Sequence, residues 1–469
     1  MTRLLARVRR VHFVGIGGAG MCGLAEILHD LGCRVSGSDL AGGASVERLR
    51  GLGVAVADGH AAGHVADADV VVVSSAIRPG NPEVAEAERR RIPVIPRGEM
   101  LAEIMRMKEG IAVAGSHGKT TTTSLVAHVL DAAGLDPTAV VGGRVRGSGG
   151  DPAAGATGAR LGRGELLVAE SDESDGSFLR LAPVIAVVTN VEPEHLDHWG
   201  SYEALLAGFA AFANRVPFFG VSILGLDDPG VRQLLPHLTR RTVTYGFSVQ
   251  ADLVATEVEA HGWGMRFHVR RRGERLGDVA LPLPGRHNVQ NALAALAVAL
   301  EAQVPFRTAA DALESFRGVE RRFETKGSVA GVRVVDDYGH HPSEIRATLA
   351  AARSVHSGRL VVVFQPHRFT RTRDLFDAFT DAFHDADRLI VTSIYAAGEE
   401  KIPGVESAGL VEAIRARGHR GVELVADLEQ VPAVLLPELR AGDLVITLGA
   451  GSVTRLGPAL LRALEERGA

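Results

Sequence analysis

Five short stretches carry residues whose types and spacing could do chemistry. In VHFVGIGGAGMCGL, Gly15, Gly17 and Gly20 fit G-x-G-x-x-G between an apolar run and a helical pattern, with Asp39 following at the spacing of a ribose-side acid. That pattern brings a backbone close to an anion, most simply a nucleotide diphosphate, at a helix N-terminus. In IAVAGSHGKTTTTSLVAHVL, Gly115, Gly118, Lys119 and Thr120 place Lys-Thr at a helix start after a glycine turn. Backbone N–H groups there can cradle phosphates, the lysine can neutralise β/γ charge, and the Thr hydroxyl can ligate Mg²⁺. The spacing, G-x-x-G-K-T, is two residues shorter than G-x-x-x-x-G-K-[ST]. Lysine is scarce in this chain (Lys108, Lys119, Lys326 and Lys401), so one inside a motif stands out.

The other three stretches are polar strand ends. ELLVAESDESD offers Glu170, Asp172, Glu173 and Asp175, and VIAVVTNVEPEHLDHWG offers Asn190, Glu192, Glu194, His195, Asp197 and His198. Mg²⁺ needs a few hard oxygen ligands beside substrate phosphates, and a carboxylate at a strand end beside a phosphate loop supplies one. His195 and His198 lack a third soft ligand nearby, which argues against zinc. LPGRHNVQNALAALAVAL carries His287, Asn288 and Asn291 at a helix start, with Asn288 suited either to capping or to a nucleotide edge. VERRFE, VVDDYGHHPSE and VVVFQPHRFTRTRDL carry Arg322, Asp337, His340, His341, His367, Arg368 and Arg371, a set suited to carboxylate or phosphate.

The elements behind these stretches read alike. VHFVGIG, DVVVVSSA, GIAVAGS, ELLVAES, VIAVVTN, RLVVVFQ, RLIVTSI and DLVITLG are continuous Val/Ile/Leu runs ending in small or polar residues. Strands buried on both faces of a parallel sheet look like this, with ligands beyond their carboxyl ends. The sequence divides into three blocks, 1–108, 109–317 and 318–469, with a Gly/Ala-rich stretch at 146–164 expected as a surface loop or loose hairpin. With 51 Lys+Arg against 56 Asp+Glu, the net charge of −5 argues against a nucleic-acid binder. Two cysteines exclude a disulfide framework and a Cys-based zinc site. The first apolar run breaks after Ile16 and nothing is long enough for a membrane span, so a cytoplasmic protein is expected.

Two readings of the glycine motifs stay open on residues alone: a nicotinamide oxidoreductase, and a non-catalytic protein regulated by a nucleotide. Taken together and in order, however, GIGGAGM, GSHGKTTT, AESDESD, NVEPEHLDH, GRHNVQN, RRFE, DDYGHHP and PHRFTRTRDLF resemble the Mur ligase family over essentially the whole chain. The resemblance implies an α/β fold of three domains: an N-terminal Rossmann-like domain for a UDP-sugar, a central P-loop-type ATPase with a parallel sheet, and a C-terminal Rossmann-like domain closing on an amino acid. It implies ATP-dependent joining of L-alanine to the lactyl carboxylate of UDP-N-acetylmuramic acid through an acyl phosphate. The setting would be peptidoglycan precursor synthesis, and with it cell-wall biogenesis, cell shape and division.

By resemblance, Gly15, Gly17, Gly18, Gly20, Asp39 and Ser74 hold the sugar nucleotide. Gly115, Ser116, His117, Gly118, Lys119, Thr120 and Thr121 hold ATP, with Asn288 and Asn291 on the adenine side and Arg322 and Asp337 reaching it from the third domain. Thr120 and Glu170 bind one Mg²⁺, and Glu170 with His195 a second, an assignment that favours Glu170 over Glu173 because it directly ends its strand run. His340 joins Lys119, Glu170 and His195 as catalytic, and His341, His367, Arg368 and Arg371 receive alanine. Ser116 departs conservatively from the Thr common in the family. No nucleic-acid or membrane partner is expected, and the protein is expected to be a monomer or weak homodimer.

Overall fold

The computed structural model describes residues 8–74, 76–145 and 157–468. Residues 146–156 of the stretch expected as a loop lie outside them. The chain forms two compact units: residues up to Thr256 with His268–Val279 and Gln290–Phe316, and Glu257–Phe267 and Ala280–Val289 with the residues from Arg317 onward.

The first unit begins with a five-stranded parallel sheet. Its strands are β1 (Arg10–Val14), β2 (Arg34–Asp39), β3 (Ala55–Asp58), β4 (Val70–Val73) and β5 (Val94–Pro96), in the order β3-β2-β1-β4-β5. Strand order reverses on either side of β1, so the ends of β1, β2 and β4 open a crevice at the point where α/β sheets bind ligands. Gly15, Asp39 and Ser74 stand there because they end or directly follow those three strands. Helix α1 (Ala19–Asp30) follows the glycine loop and buries Met21, Leu24, Ala25, Ile27 and Leu28 on its sheet-facing stripe.

The second sheet contains β6 (Glu109–Ala114), β7 (Thr138–Val145), β8 (Thr157–Arg160), β9 (Leu166–Glu170), β10 (Ile185–Val188), β11 (Val221–Gly225) and β12 (Thr242–Gly246). Their order is β12-β11-β10-β6-β9-β7-β8, and β13 (Leu253–His261), β14 (Gly264–Arg271) and β15 (Glu274–Leu281) continue past β12. Central β6 pairs in parallel with β9 and β10. Its end therefore lies between those of β9 and β10, which bring Glu170 on one side and Thr189 and Asn190 on the other. Helix α2 (Lys119–Ala132) begins with four threonines, which are weak helix formers. Tertiary packing overrides that propensity: Thr120 to Thr123 are buried, and Thr123 and Ser124 donate to the carbonyls of Lys119 and Thr120 at 2.8 and 2.7 Å.

The third sheet orders β16 (Glu324–Val329), β17 (Val332–Asp337), β18 (Leu360–Phe364), β19 (Arg388–Val391), β20 (Val422–Leu424) and β21 (Leu444–Leu448) as β16-β17-β21-β18-β19-β20. Only the edge pair β16–β17 among its registers is antiparallel. Two apolar clusters flank the central strands, one with Ile345, Leu349 and Phe379, the other with Val431, Val453 and Leu460. Helix α3 (Arg286–Glu301) carries the two asparagines, and helix α4 (Pro342–Val355) follows the DDYGHHP segment. No helix among the described residues is long and apolar enough to cross a membrane.

Candidate functional site

The glycine loop after β1 hangs from the end of β2. Gly15 N–H and Ile16 N–H donate to the Ser38 carbonyl at 2.9 and 3.0 Å, and Gly17 N–H donates to Asp39 Oδ2 at 2.8 Å. A Cβ at Gly17 would fall 2.9 Å from both Asp39 Oδ2 and Val46 Cγ2, so only glycine allows that approach. Asp39 thus braces the loop, a role the sequence spacing assigned to a ribose contact. Gly15, Gly17, Gly18, Asp39 and Ser74 all line one cavity of about 470 Å³, together with His60. Gly20 packs instead against Arg97, which sequence reasoning missed: a Cβ there would lie 3.0 Å from Arg97 Cδ. Arg97 Nη2 also reaches Asp172 Oδ2 at 3.5 Å. Its only sequence signal is a basic residue opening a helix after an apolar strand.

The second loop turns between β6 and α2. Gly118, at φ +79°, is the N-cap of α2, and a Cβ on it would sit 2.6 Å from Asn291 Oδ1. Asn291 Oδ1 also accepts from Thr122 at 3.1 Å, which places it beneath the loop. His117 N–H donates to Asn190 Oδ1 at 2.7 Å, and Asn190 Nδ2 and Thr189 Oγ1 donate to the His117 carbonyl at 3.1 and 2.6 Å. Glu192 N–H donates to Ser116 Oγ at 2.8 Å. The end of β10 therefore fixes the loop shape.

Lys119 Nζ donates to the Gly115 carbonyl at 2.6 Å, the Ser116 carbonyl at 3.1 Å and Glu173 Oε1 at 2.8 Å. Burial pushes the Glu173 carboxyl up, with Lys119 opposing. Burial would lower Lys119, but the Glu173 charge outweighs it and the ammonium is held more firmly.

Thr120 Oγ1 donates to Glu170 Oε1 at 3.1 Å, and Gly142 N–H to Glu170 Oε2 at 2.7 Å. Two hard oxygen donors expected for Mg²⁺ are thus adjacent to the loop. His195 stands at φ +54° among acidic side chains. Its Nε2 lies 4.0 Å from Glu173 Oε1 and 3.9 Å from Glu194 Oε2, and ligand atoms of these three residues lie within 4.8 Å of one another. Glu173, ranked below Glu170 from sequence, is the residue that joins Lys119 to this cluster.

In the second unit, α3 begins at Arg286, so Asn288 lies inside the helix and is not its cap; its Nδ2 donates to the Pro284 carbonyl at 2.8 Å. Asp337 is buried and accepts from Phe323 N–H, Gly339 N–H and Thr348 Oγ1 at 2.8, 2.8 and 3.1 Å. It shapes the loop that carries His340. Arg322 lies over the Tyr338 ring at 5.0 Å and 3.9 Å from Glu344. His341 caps α4 in a reciprocal box with Glu344, and Pro342 occupies the first turn. His340 and His367 stand with ring centroids 5.7 Å apart, and His367 accepts Arg371 at 3.3 Å and stacks on Tyr395. Arg368 is held at φ +70° as the residue before a helix Phe369–Asp374.

Burial, reinforced by Arg322, holds His287 down to about 4. Burial also holds His340 down to about 4, and burial with His340 and Arg371 holds His367 down to about 3. All three imidazoles are neutral at pH 7. Histidine in an unfolded chain titrates near ~6.5, so between about pH 6.5 and 4 the unfolded state binds more protons than the folded one. Stability should therefore rise with pH across that window and level off above it. Denaturation midpoints measured from pH 4 to 8 test this; a midpoint unchanged between pH 4 and 6.5 refutes it.

Three α/β sheets, two glycine loops at strand ends and a lysine-bearing phosphate cradle define a nucleotide-using enzyme of modular Rossmann-like build. The chain belongs to the Mur ligase family: models described as Mur ligase family, catalytic domain, Mur ligase middle domain and Mur ligase, glutamate ligase domain match residues 10–109, 113–299 and 321–451. It is 56% identical over 465 residues to UDP-N-acetylmuramate–L-alanine ligase of Anaeromyxobacter dehalogenans (strain 2CP-C), covering 99% of this chain and 100% of the relative. The same-named protein of Myxococcus xanthus is 54% identical, covering 97% and 95%. Among solved structures, UDP-N-acetylmuramate-alanine ligase of Thermotoga maritima superposes with a TM-score of 0.82 at 28% identity, covering 98% of this chain and 99% of the other. A murein peptide ligase of Psychrobacter arcticus gives 0.71 at 26%, covering 97% and 98%. Family membership sets aside the oxidoreductase reading of the first glycine cluster.

Proposed function

We infer that the protein is an ATP-dependent carboxylate–amine ligase that joins L-alanine to the lactyl carboxylate of UDP-N-acetylmuramic acid in peptidoglycan precursor synthesis. The observation that carries this is the phosphate loop with Lys119 drawn into it, next to the Thr120–Glu170 pair. Full-length relatives bearing that ligase name support the choice of substrates. The domains run 1–108 for the UDP-sugar, 109–317 for ATP and 318–469 for alanine.

The chemistry follows from what the residues can hold. A carboxylate resists attack by an amine, so it is first phosphorylated to an acyl phosphate. That transfer is mostly positioning and charge neutralisation. Loop N–H groups and Lys119 hold the β/γ-phosphates, with the Glu173 pairing giving way to phosphate. Thr120 and Glu170 would hold one Mg²⁺ through suitably hard oxygens, and Glu170 with His195 a second, the ions supplying charge neutralisation when bound. The cavity after β1 holds the UDP portion. In the C-terminal domain Arg368 and Arg371 suit alanine's carboxylate. His340 and His367, neutral at working pH, can accept hydrogen bonds from alanine's amino group, which attacks as the free amine. The amine displaces phosphate through a tetrahedral intermediate, giving the amide, ADP and phosphate. The protein acts in the cytoplasm as a monomer or weak homodimer. Phosphate release from ATP that requires both UDP-N-acetylmuramic acid and L-alanine tests the assignment; release independent of either substrate overturns it.

A further inference from the structure

Beneath the first glycine loop lies a buried polar cluster that the ligation chemistry does not use. Its centre is Glu83, fully buried in the first turn of a helix Pro82–Arg89 capped by Asn81. Glu83 Oε2 accepts from Ser38 Oγ at 2.6 Å and lies 3.2 Å from His60 Nδ1 and 3.7 Å from His12 Nε2. Glu83 Oε1 lies 2.5 Å from His64 Nδ1. Ser38 Oγ, donating to Glu83, is in turn 2.9 Å from His60 Nδ1.

Two of these partners connect the carboxylate to the cavity, one through the glycine loop and one in the cavity wall. Ser38 is the residue whose carbonyl suspends Gly15 and Ile16, and His60 lines the cavity itself. His12 and His64 surround the carboxylate from the other side. Burial alone would push Glu83 up, but the close approach of His12 and hydrogen bonds with Ser38 and His64 bring it down to about 2, so it stays ionised at neutral pH. A buried charge is costly, and an apolar side chain would pack this space at least as stably. With His60 Nδ1 turned to Ser38 and Glu83 as donor, Nε2 is the ring nitrogen left for a ligand.

We propose that Glu83 is a positioning residue for sugar-nucleotide binding: one buried carboxylate fixes both the strand end that suspends the glycine loop and the imidazole that forms part of the cavity wall. This rests on the reading that the cavity takes the UDP portion of the substrate. Glu83 touches no substrate and acts through Ser38 and His60.

Steady-state kinetics with each of the three substrates varied in turn tests it, on the full chain and at a temperature below the unfolding transition of every variant. Glu83→Gln keeps the shape and removes the charge. It should raise KM for UDP-N-acetylmuramic acid about tenfold, with kcat at saturation and KM for ATP and L-alanine within about twofold of wild type. His60→Gln should move the same KM in the same direction. The double variant should fall short of the product of the two, because both act through one wall. An unchanged KM for the sugar nucleotide in Glu83→Gln overturns the proposal, and so does a parallel rise in all three KM values, which would mean general loosening. If Glu83→Gln does not fold, Ser38→Ala and His60→Gln carry the same selective expectation and the same refutation. Wild-type enzyme inactive on UDP-N-acetylmuramic acid sinks the functional reading and this proposal together; active wild type with an undisturbed Glu83→Gln sinks this one alone.

Discussion

Replacing Lys119 with Ala should cut turnover at saturating substrates by about a thousandfold or more, roughly 4 kcal/mol of lost transition-state stabilisation. The side chain is mostly buried, and its ammonium is tied to two loop carbonyls and to Glu173. It is therefore already desolvated where the β/γ-phosphates would arrive, and little reorganisation is needed when phosphate replaces the carboxylate. Lys119→Arg should recover little, because a planar guanidinium cannot occupy the space of a compact ammonium between two carbonyls. The fold should survive both changes: burial already pushes Glu173 up, so without its cation it can take a proton instead of remaining a buried charge. Single-turnover acyl-phosphate formation, read beside thermal unfolding, checks this. A well-folded Lys119→Ala enzyme with turnover within tenfold of wild type would refute the role given to the lysine.

The parallel cores were legible because burial on both faces leaves a plain mark. VVVV at β4, IAVV at β10 and LVVVF at β18 are uninterrupted apolar runs, and each is a strand. Edge strands leave no such mark. β3 (AVAD) and β16 (ETKGSV) are partly exposed and mix polar with small residues, so neither stands out from a loop. β7 precedes the Gly/Ala-rich stretch and β8 lies within it, and β7 itself contains Gly142 and Gly143. Pairing with β9 and β8 marks it as a strand.

The site was legible to the extent that its groups stand at strand ends. Ser74, Asp39 and the Gly115–Thr120 loop follow directly from that rule. What the rule misses is support from elsewhere in the chain. Asn291 is 173 residues from Gly118 by numbering, yet it sits under that glycine, and only the packed fold shows it. Glu83 and His60 lie on separate crossovers of the first sheet, after β4 and β3, and meet because the sheet runs β3-β2-β1-β4. His341 reads as a ligand by its neighbours, but Pro342 and Glu344 are the signature of a helix start, and the structure uses it as one. A histidine before Pro-x-Glu is a position where capping and binding compete.

The largest remaining effect concerns the metal ligands. Glu170→Ala should abolish measurable turnover, a loss of several kcal/mol, if this carboxylate holds the ion beside the γ-phosphate. The same change also frees Gly142 N–H and Thr120 Oγ1, so a near-isosteric variant is needed to separate charge from scaffolding. Glu170→Gln should fold normally and regain part of its activity only at Mg²⁺ concentrations about tenfold or more above those wild type needs. Glu173→Gln is the discriminating partner. Glu173 Oε1 lies 4.0 Å from His195 Nε2, and it neutralises Lys119 when no phosphate is there to do so. If Glu170 is the ligand, Glu173→Gln should alter ATP affinity by loosening Lys119 while leaving the Mg²⁺ requirement near wild type. If the Mg²⁺ requirement instead shifts in Glu173→Gln and not in Glu170→Gln, the ion belongs to the Glu173, Glu194 and His195 cluster, and Glu170 serves the fold of β7.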